Sequence, residues 1–347
     1  MKLFLTYSIF FLMALHCTAQ KITVAKNGTG DFLTIQEAIE HFQPKAKKYG
    51  TIYIKNGVYQ EKILIDSLIH HLIIQGESAE GVIITFTQPR DNWRCEHPDD
   101  FGAATVNVKG HHIVFSKLSI INDYGFKAKG DVVIDCENEA GKANNVNAKG
   151  GYLPREIGEK EGQKMVRKDG HQFSFRSMPG ATFLRFEDCI FRSGGGDTVS
   201  PWDVEGGKFY FNRCIIEGHV DLYCPRGNAL IENSHFICHN LNAALWHDGS
   251  AHEGDMSVIK NCTFEGDSGF KLGRYHREAQ MYLFDCTFSS DMADAPIYQS
   301  GTADLKWGHR IYYKNCHKEG GDYAWHADNT SFKSKDLKFK NVFGQKW

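Results

Sequence analysis

The chain has 347 residues, of which 41% are hydrophobic, 13% aromatic and 24% charged. This is ordinary globular usage, which excludes disorder, collagen and coiled coil and leaves enough apolar surface for a large core. Against 40 lysines and arginines stand 42 aspartates and glutamates, a formal charge of -2. No global positive field is present to hold a nucleic acid backbone, and a polyanionic ligand must be gripped by a few placed bases.

In chain order, the first signal is a leader. Residues 1–19 carry Lys2, an apolar run from Leu3 to Leu15 and a small-residue site ending Cys17-Thr-Ala19. The pattern predicts a secretory signal peptide cleaved between Ala19 and Gln20, with the mature protein secreted or periplasmic. The apolar run is short for a membrane span, and no later segment approaches 18 uninterrupted apolar residues. Lipidation at Cys17 is the weaker alternative, because His16 is an awkward neighbour for it.

Next, Asp31 to Phe42 carries a Thr34/Glu37 capping box followed by Ile35, Ala38, Ile39 and Phe42 at helical spacing. Strand patterns follow over 51–54, 63–65, 72–75, 82–87, 104–108 and 113–121, with little helical patterning after residue 45. Residues 123–171 break the period and are read as a long surface excursion rather than a separate small domain. The pairs His70-His71 and His111-His112 lack metal-ligand spacing and are expected on solvent faces or beside turns, so no metal is expected.

From residue 186 onward a frame repeats: an aromatic or aliphatic residue, any residue, a polar residue, Cys, any residue, an apolar residue. It reads Phe186-Glu-Asp-Cys-Ile-Phe191, Phe211-Asn-Arg-Cys-Ile-Ile216, Ile259-Lys-Asn-Cys-Thr-Phe264 and Leu283-Phe-Asp-Cys-Thr-Phe288, and Tyr313-Lys-Asn-Cys-His-Lys318 follows it in part. Ile231-Glu-Asn-Ser-His-Phe236 is a further copy with Ser234 in the cysteine place. A short strand recurring every 20 to 30 residues describes a right-handed parallel β-helix, an all-β solenoid of stacked coils. The capping-box helix would cover its open N-terminal end, and residues 20–347 are read as one domain. Beyond Cys17 the chain has Cys95, Cys136, Cys189, Cys214, Cys224, Cys238, Cys262, Cys286 and Cys316. They are read as small buried ladder residues rather than disulfides.

Two acids stand at matching places in this repeat. Asp197, in Gly194-Gly-Gly-Asp-Thr198, and Asp221, in Gly218-His-Val-Asp-Leu222, are 24 residues apart, about one coil. Stacked strands lie about 4.8 Å apart, so the two carboxylates are expected within one or two strand spacings of each other. Such a pair can divide its ionisation into an acid and a nucleophile or base, although Asp is also a common corner residue. Arg274, in Lys271-Leu-Gly-Arg-Tyr-His276, could hold a carboxylate in fixed orientation or lie free on the surface. The match Gly266-Asp-Ser-Gly269 to a serine protease has no partner His motif and is read as chance.

These residues carry a resemblance. The run Gly28-Thr-Gly-Asp31-Phe-Leu-Thr-Ile-Gln-Glu-Ala-Ile39, then Thr51-Ile-Tyr-Ile-Lys-Asn-Gly-Val-Tyr-Gln-Glu-Lys-Ile63, resembles the opening of pectinesterases, carbohydrate esterases that demethylate pectin. The segments around Asp197, Asp221 and Arg274 resemble that family's three active-site motifs in the family's order. The resemblance implies Asp221 as nucleophile, Asp197 as acid/base and Arg274 as the hydrogen-bond partner of the nucleophile, with water as co-substrate and no cofactor. It implies pectin or a related uronate polysaccharide as the substrate, handled by a chain expected to be a monomer.

The chain also departs from the family. Gly196 stands where the family has a Gln that donates at the oxyanion site, and Gln172 aligns with another family Gln or is simply a strand Gln. Tyr275-His276 replace a sugar-stacking Pro-Trp, and Leu222-Tyr-Cys-Pro-Arg226 replace an aromatic run. Sugar contacts would then fall to Tyr223, Trp202, Trp246, Tyr275 or His276, several of which could equally be packing, while Arg226 either faces a substrate carboxylate or caps a turn. Two other readings share the fold: a carbohydrate-binding solenoid without turnover, and a polysaccharide lyase, which would need a calcium cluster of acids.

Overall fold

A computed structural model describes residues 20–44, 48–136, 160, 162–239, 241–344 and 347. The leader and Cys17, like residues 137–159 of the excursion, lie outside the described residues. The chain winds as the expected parallel β-helix, visiting three sheets in turn on each coil. The first sheet has ten strands, from Lys21–Val24 to Arg310–Lys314. The second has nine, from Gly57–Gln60 to His317–Lys318. The third comes in a four-stranded block ending at Val199–Ser200 and a three-stranded block beginning at Ala243–His247. Single bridges from Tyr223 to Val199 and to Leu245 join the two blocks. Neighbours within all three sheets are parallel, as in Leu184↔Phe209 and Phe209↔Ala229.

The recurring frame is the corner between the first and second sheets. The residue before each repeat cysteine has a left-handed backbone: Asp188, Arg213, Asn233, Asn261, Asp285 and Asn315 all have φ between 51° and 53°. Asn and Asp tolerate that region best among residues with a Cβ, which is why the polar position in the frame is so often one of them. The left-handed step turns the chain and sends the next side chain inward, so Cys189, Cys214, Ser234, Cys262, Cys286 and Cys316 are buried. In-register stacking then lines up equals. Asn261 Nδ2 donates to Asn233 Oδ1 at 2.6 Å, Asn315 Nδ2 donates to Asp285 Oδ1 at 2.8 Å, and Phe115, Phe186 and Phe211 form a ring stack with centroids 5.2 and 4.5 Å apart.

The N-terminal helix, Ile35–His41, buries Ile35, Ala38 and Ile39, and Thr34 caps it by accepting from the Glu37 amide. Its first amides are also held by Glu61, whose carboxylate takes Ile35 N–H and Gln36 N–H at 3.0 Å each.

Several local expectations are corrected. The single strand over 113–121 is two, His111–Ser116 and Ser119–Asn122, because Lys117 at φ 52° makes the same corner and sends them to different sheets. Helices do occur after residue 45, at Arg90–Glu96, Tyr124–Lys127 and Phe339–Phe343. The described part of the excursion contains an antiparallel pair, Val132–Asp135 with Gln163–Val166. Cys95 and Cys136 are not ladder residues: they form a disulfide between the Arg90–Glu96 helix and the end of that pair. Both lie outside the repeat frame, so the periodic argument that buries the other thiols does not reach them. His71 and His112 occupy left-handed positions at φ 53° and 55°, and their rings stack at 4.8 Å. Among the described residues no helix is long and apolar enough to cross a membrane.

Alkylation of the denatured, unreduced chain should modify Cys189, Cys214, Cys224, Cys238, Cys262, Cys286 and Cys316 but neither Cys95 nor Cys136. Peptide mass mapping checks this, and a labelled Cys95 would contradict it.

Candidate active site

The outer face of the third sheet gathers the chemistry. Asp197 and Asp221 each sit two residues before a bridged pair, Val199 and Tyr223, and therefore occupy the same place on adjacent coils. Both have left-handed backbones, φ 58° and 54°. Their amides are anchored to the following coil, Asp197 N–H on Val220 O at 3.1 Å and Asp221 N–H on Ala243 O at 2.6 Å. As at the other corner, the left-handed step buries the next residues, Thr198 and Leu222. The glycines before Asp197 allow close approach: a Cβ on Gly194 would lie 2.5 Å from Phe126 N.

Arg274 reaches Asp221 from two coils away, on strand Lys271–Tyr275. Its Nε donates to Oδ1 at 3.0 Å and its Nη2 to Oδ2 at 2.6 Å, a bidentate fork. Trp246 lies under the guanidinium, 4.8 Å from its carbon.

Asp197 is surrounded differently. Its Oδ2 accepts from Ser200 Oγ at 3.4 Å, and Ser200 in turn accepts from Arg176 Nη1 at 2.7 Å and Arg226 Nη1 at 3.1 Å. Its Oδ1 lies 3.9 Å from His171 Nε2. The two guanidinium groups sandwich Trp202, each carbon 4.5 Å from the ring centroid. Arg176 continues into a buried ion cluster, in which Asp100 accepts from Arg176, Arg90 and Arg94.

The electrostatics follow. Burial raises the Asp221 carboxyl to about 6, although the Arg274 hydrogen bonds pull the other way and the charge of Asp197 adds to the rise. Burial also opposes ionisation of Asp197, but His171, Arg226 and Arg176 together hold it below the ordinary carboxylate value. Burial likewise opposes ionisation of Asp100, yet Arg90, Arg176 and Arg94 keep it well below the ordinary value. The Cys224 thiol on this face is pushed well up by burial, so it stays neutral.

The remaining expected site residues divide. Gln172 is fully buried, with Oε1 accepting from Gly125 N–H at 2.7 Å and Nε2 donating to Lys168 O at 2.5 Å. Its amide fastens backbone on both sides. Tyr223 and Tyr275 are core residues, and the Tyr275 hydroxyl pairs with His309 Nδ1 at 2.6 Å. Neither ring is open to a sugar, because alternation along the strand turns both inward. Trp202, Trp246 and His276 stay partly exposed, and His276 Nδ1 pairs with Asp248 Oδ1 at 3.2 Å. Arg226 is buried, and its Nη1 donates to the backbone carbonyl of Cys224 at 3.2 Å as well as to Ser200. Among the described residues the Nε atoms of Arg176 and Arg226 have no acceptor.

Sequence reading did not single out Asp100, Arg90, Arg94, Arg176, Ser200 or His171. Arg176 and Ser200 do share the register position of Cys224 on successive coils, a signal available once the third sheet is aligned. Among the described residues no group of three or more His, Cys, Asp or Glu side chains is placed to hold a metal ion.

The Pectinesterase family model matches residues 21–152. Probable pectinesterase 8 of Arabidopsis thaliana is 23% identical over 323 residues, 89% of this chain and 70% of that protein. A probable pectinesterase/pectinesterase inhibitor of Brassica napus is 41% identical over 258 residues, 72% of this chain and 36% of that protein. The chain belongs to the pectinesterase family. Solved members share its fold. A pectin methylesterase in complex with a hexasaccharide superposes with a TM-score of 0.68 at 17% identity, covering 95% of this chain and 98% of that one. The carrot pectin methylesterase gives 0.62 at 16% identity, covering 93% and 92%. The segment matched to the family ends before either acid, so the site of this pectinesterase-family chain rests on its own geometry.

Replacing Arg274 with Gln removes the fork that favours ionised Asp221. The Asp221 carboxyl should then titrate above about 6. Carbon-13 NMR of labelled aspartates measures the change, and an unmoved or lowered value would refute the assignment.

Proposed function

We propose that the chain is a secreted or periplasmic carboxylic ester hydrolase that removes methyl esters from pectin or a related galacturonate polysaccharide. Residues 20–347 act as a single unit after loss of residues 1–19, and as a monomer. The observation that carries this reading is the Arg274 fork on Asp221 with Asp197 at the equivalent place one coil away. Family membership supports the same reaction class.

In this reading an Asp221 carboxylate oxygen attacks the ester carbonyl carbon, with the fork fixing its orientation. The methoxy carbon–oxygen bond breaks, methoxide takes a proton from Asp197 and methanol leaves an acyl-Asp221 anhydride. Water then adds to the acyl carbon, giving its proton back to Asp197, and Asp221 is released. Trp202, Trp246 and His276 flank the acids and supply sugar contacts.

Gly196 supplies no side-chain donor for the developing oxyanion, a loss that costs about 2–4 kcal/mol in an esterase that relies on one. The spare Nε–H groups of Arg176 and Arg226 offer positive charge on the same face. A lyase would instead need an acidic calcium cluster, and the pairing of acid with guanidinium favours hydrolysis.

Release of methanol from methyl-esterified pectin tests the proposal. Wild type should release it without an ultraviolet-absorbing unsaturated product, and Asp221→Asn should lower kcat by about a thousandfold or more. Undiminished turnover in that variant would remove Asp221 from the mechanism, and a chain that binds pectin without releasing methanol would be a binding solenoid. Because the nucleophile must be ionised and its carboxyl titrates at about 6, kcat/KM should climb as pH rises toward that value from the acid side.

A further inference from the structure

Asp197 raises a problem that the ester-hydrolysis reading leaves open. Its side chain is only 6% exposed, and its positive neighbours hold its carboxyl below the ordinary value. A group in that state must be given a proton before it can protonate a leaving methoxide, and must pass on the proton it later takes from water to return to that state. Its two oxygens have separate surroundings. Oδ2 faces Ser200, which is tied to Arg176 and Arg226 and leads into the protein. Oδ1 faces His171 Nε2 at 3.9 Å, and the His171 side chain is 54% exposed.

We propose that His171 is the proton-relay residue of this site, a positioning residue that lends a proton to Oδ1 of Asp197 and takes one back within each turnover. The inference rests on the ester-hydrolysis reading above. Two backbone contacts fix His171 beside the acid. It bridges Gly196, the residue before Asp197, and its carbonyl accepts from Arg90 N–H at 2.9 Å. Its ring lies against Phe173, 5.9 Å between centroids. A separation of 3.9 Å closes to a hydrogen bond by a small side-chain rotation.

The relay balances. In the acylation step protonated His171 gives its proton to Asp197, Asp197 gives it to methoxide as the carbon–oxygen bond breaks, and His171 is left neutral. In the deacylation step water loses a proton to Asp197 as its oxygen bonds to the acyl carbon. The bond from that carbon to Asp221 breaks, Asp221 leaves as carboxylate, and Asp197 passes the proton back to His171. The product carboxylic acid then ionises into solvent.

The charges facing His171 fix the pH dependence. Desolvation and the charge of Arg90 oppose its protonation, Asp197, Asp91 and Asp100 favour it, and the balance lies below the ordinary imidazole value. Asp221 must be ionised while His171 is protonated, so the profile is a narrow bell whose falling limb lies on the acid side of the ordinary imidazole value.

The test uses the full chain and methyl-esterified pectin. In wild type, methanol release should follow that bell. His171→Ala should lower maximal kcat about tenfold or more with KM little changed, and should abolish the falling limb. Added imidazole should restore activity in proportion to its protonated form, and His171→Gln should behave as the Ala variant does without rescue. A His171→Ala enzyme with wild-type kcat and profile, or a loss that imidazole does not recover, would overturn the relay. Absence of methanol release from wild type would instead overturn the ester-hydrolysis reading and the relay with it.

Discussion

The structure depends on one constraint: successive coils pair in register, so a residue's place in its coil decides which residues of the neighbouring coils it meets. At each corner a left-handed residue sets the turn, and the residue after it points into the core. A left-handed residue with a Cβ costs about 1–2 kcal/mol, and side chains that pair along the stack, such as Asn233 with Asn261 and Arg213 with Asp188, help offset it. The same device at the corner before the third sheet carries Asp197 and Asp221. The chemistry therefore sits on a structural joint, where backbone hydrogen bonds hold both acids firmly.

Charge at this joint is settled by competition. Burial alone would keep both carboxyls neutral, and different partners pull them apart. Asp221 has a single guanidinium, well placed, and remains above its ordinary value. Asp197 faces His171 on one side and, through Ser200, two arginines on the other, and falls below it. The resting site thus favours charge on Asp197 and, below pH about 6, a proton on Asp221, the reverse of what the proposed attack requires. Proton movement becomes as important to turnover as geometry. The Asp100 cluster behind Arg176 matters for the same reason, since it holds one of those arginines in place.

The surroundings of Asp197, Asp221 and Arg274 are built from glycines, arginines and tryptophan. Gly194 packs against Gly125, and Gly196 beside Asp197 lies against Val220. Trp202 lies against the guanidinium groups of Arg176 and Arg226. Asp197, Asp221 and Arg274 are held in their relative places by the stacked coils.

Much of this was legible in the residues alone. The Cys frame, with Asn or Asp before it, encodes the left-handed corner and hence the coil, because few residue types tolerate that backbone. The capping box at Thr34 and Glu37 encodes the end helix through purely local hydrogen bonding. The interval between Asp197 and Asp221 encodes their proximity, because one coil returns the chain to the same lateral position. Tertiary structure decided what periodicity does not carry. It turned Tyr223 and Tyr275 into the core through strand alternation, tied up the Gln172 amide on neighbouring backbone, and joined Cys95 to Cys136 across the excursion. It also brought His171 and the Arg176–Ser200–Arg226 group to Asp197. Repeats fix positions along a coil from sequence, but side-chain direction and contacts from inserted segments exist only once the coils have stacked.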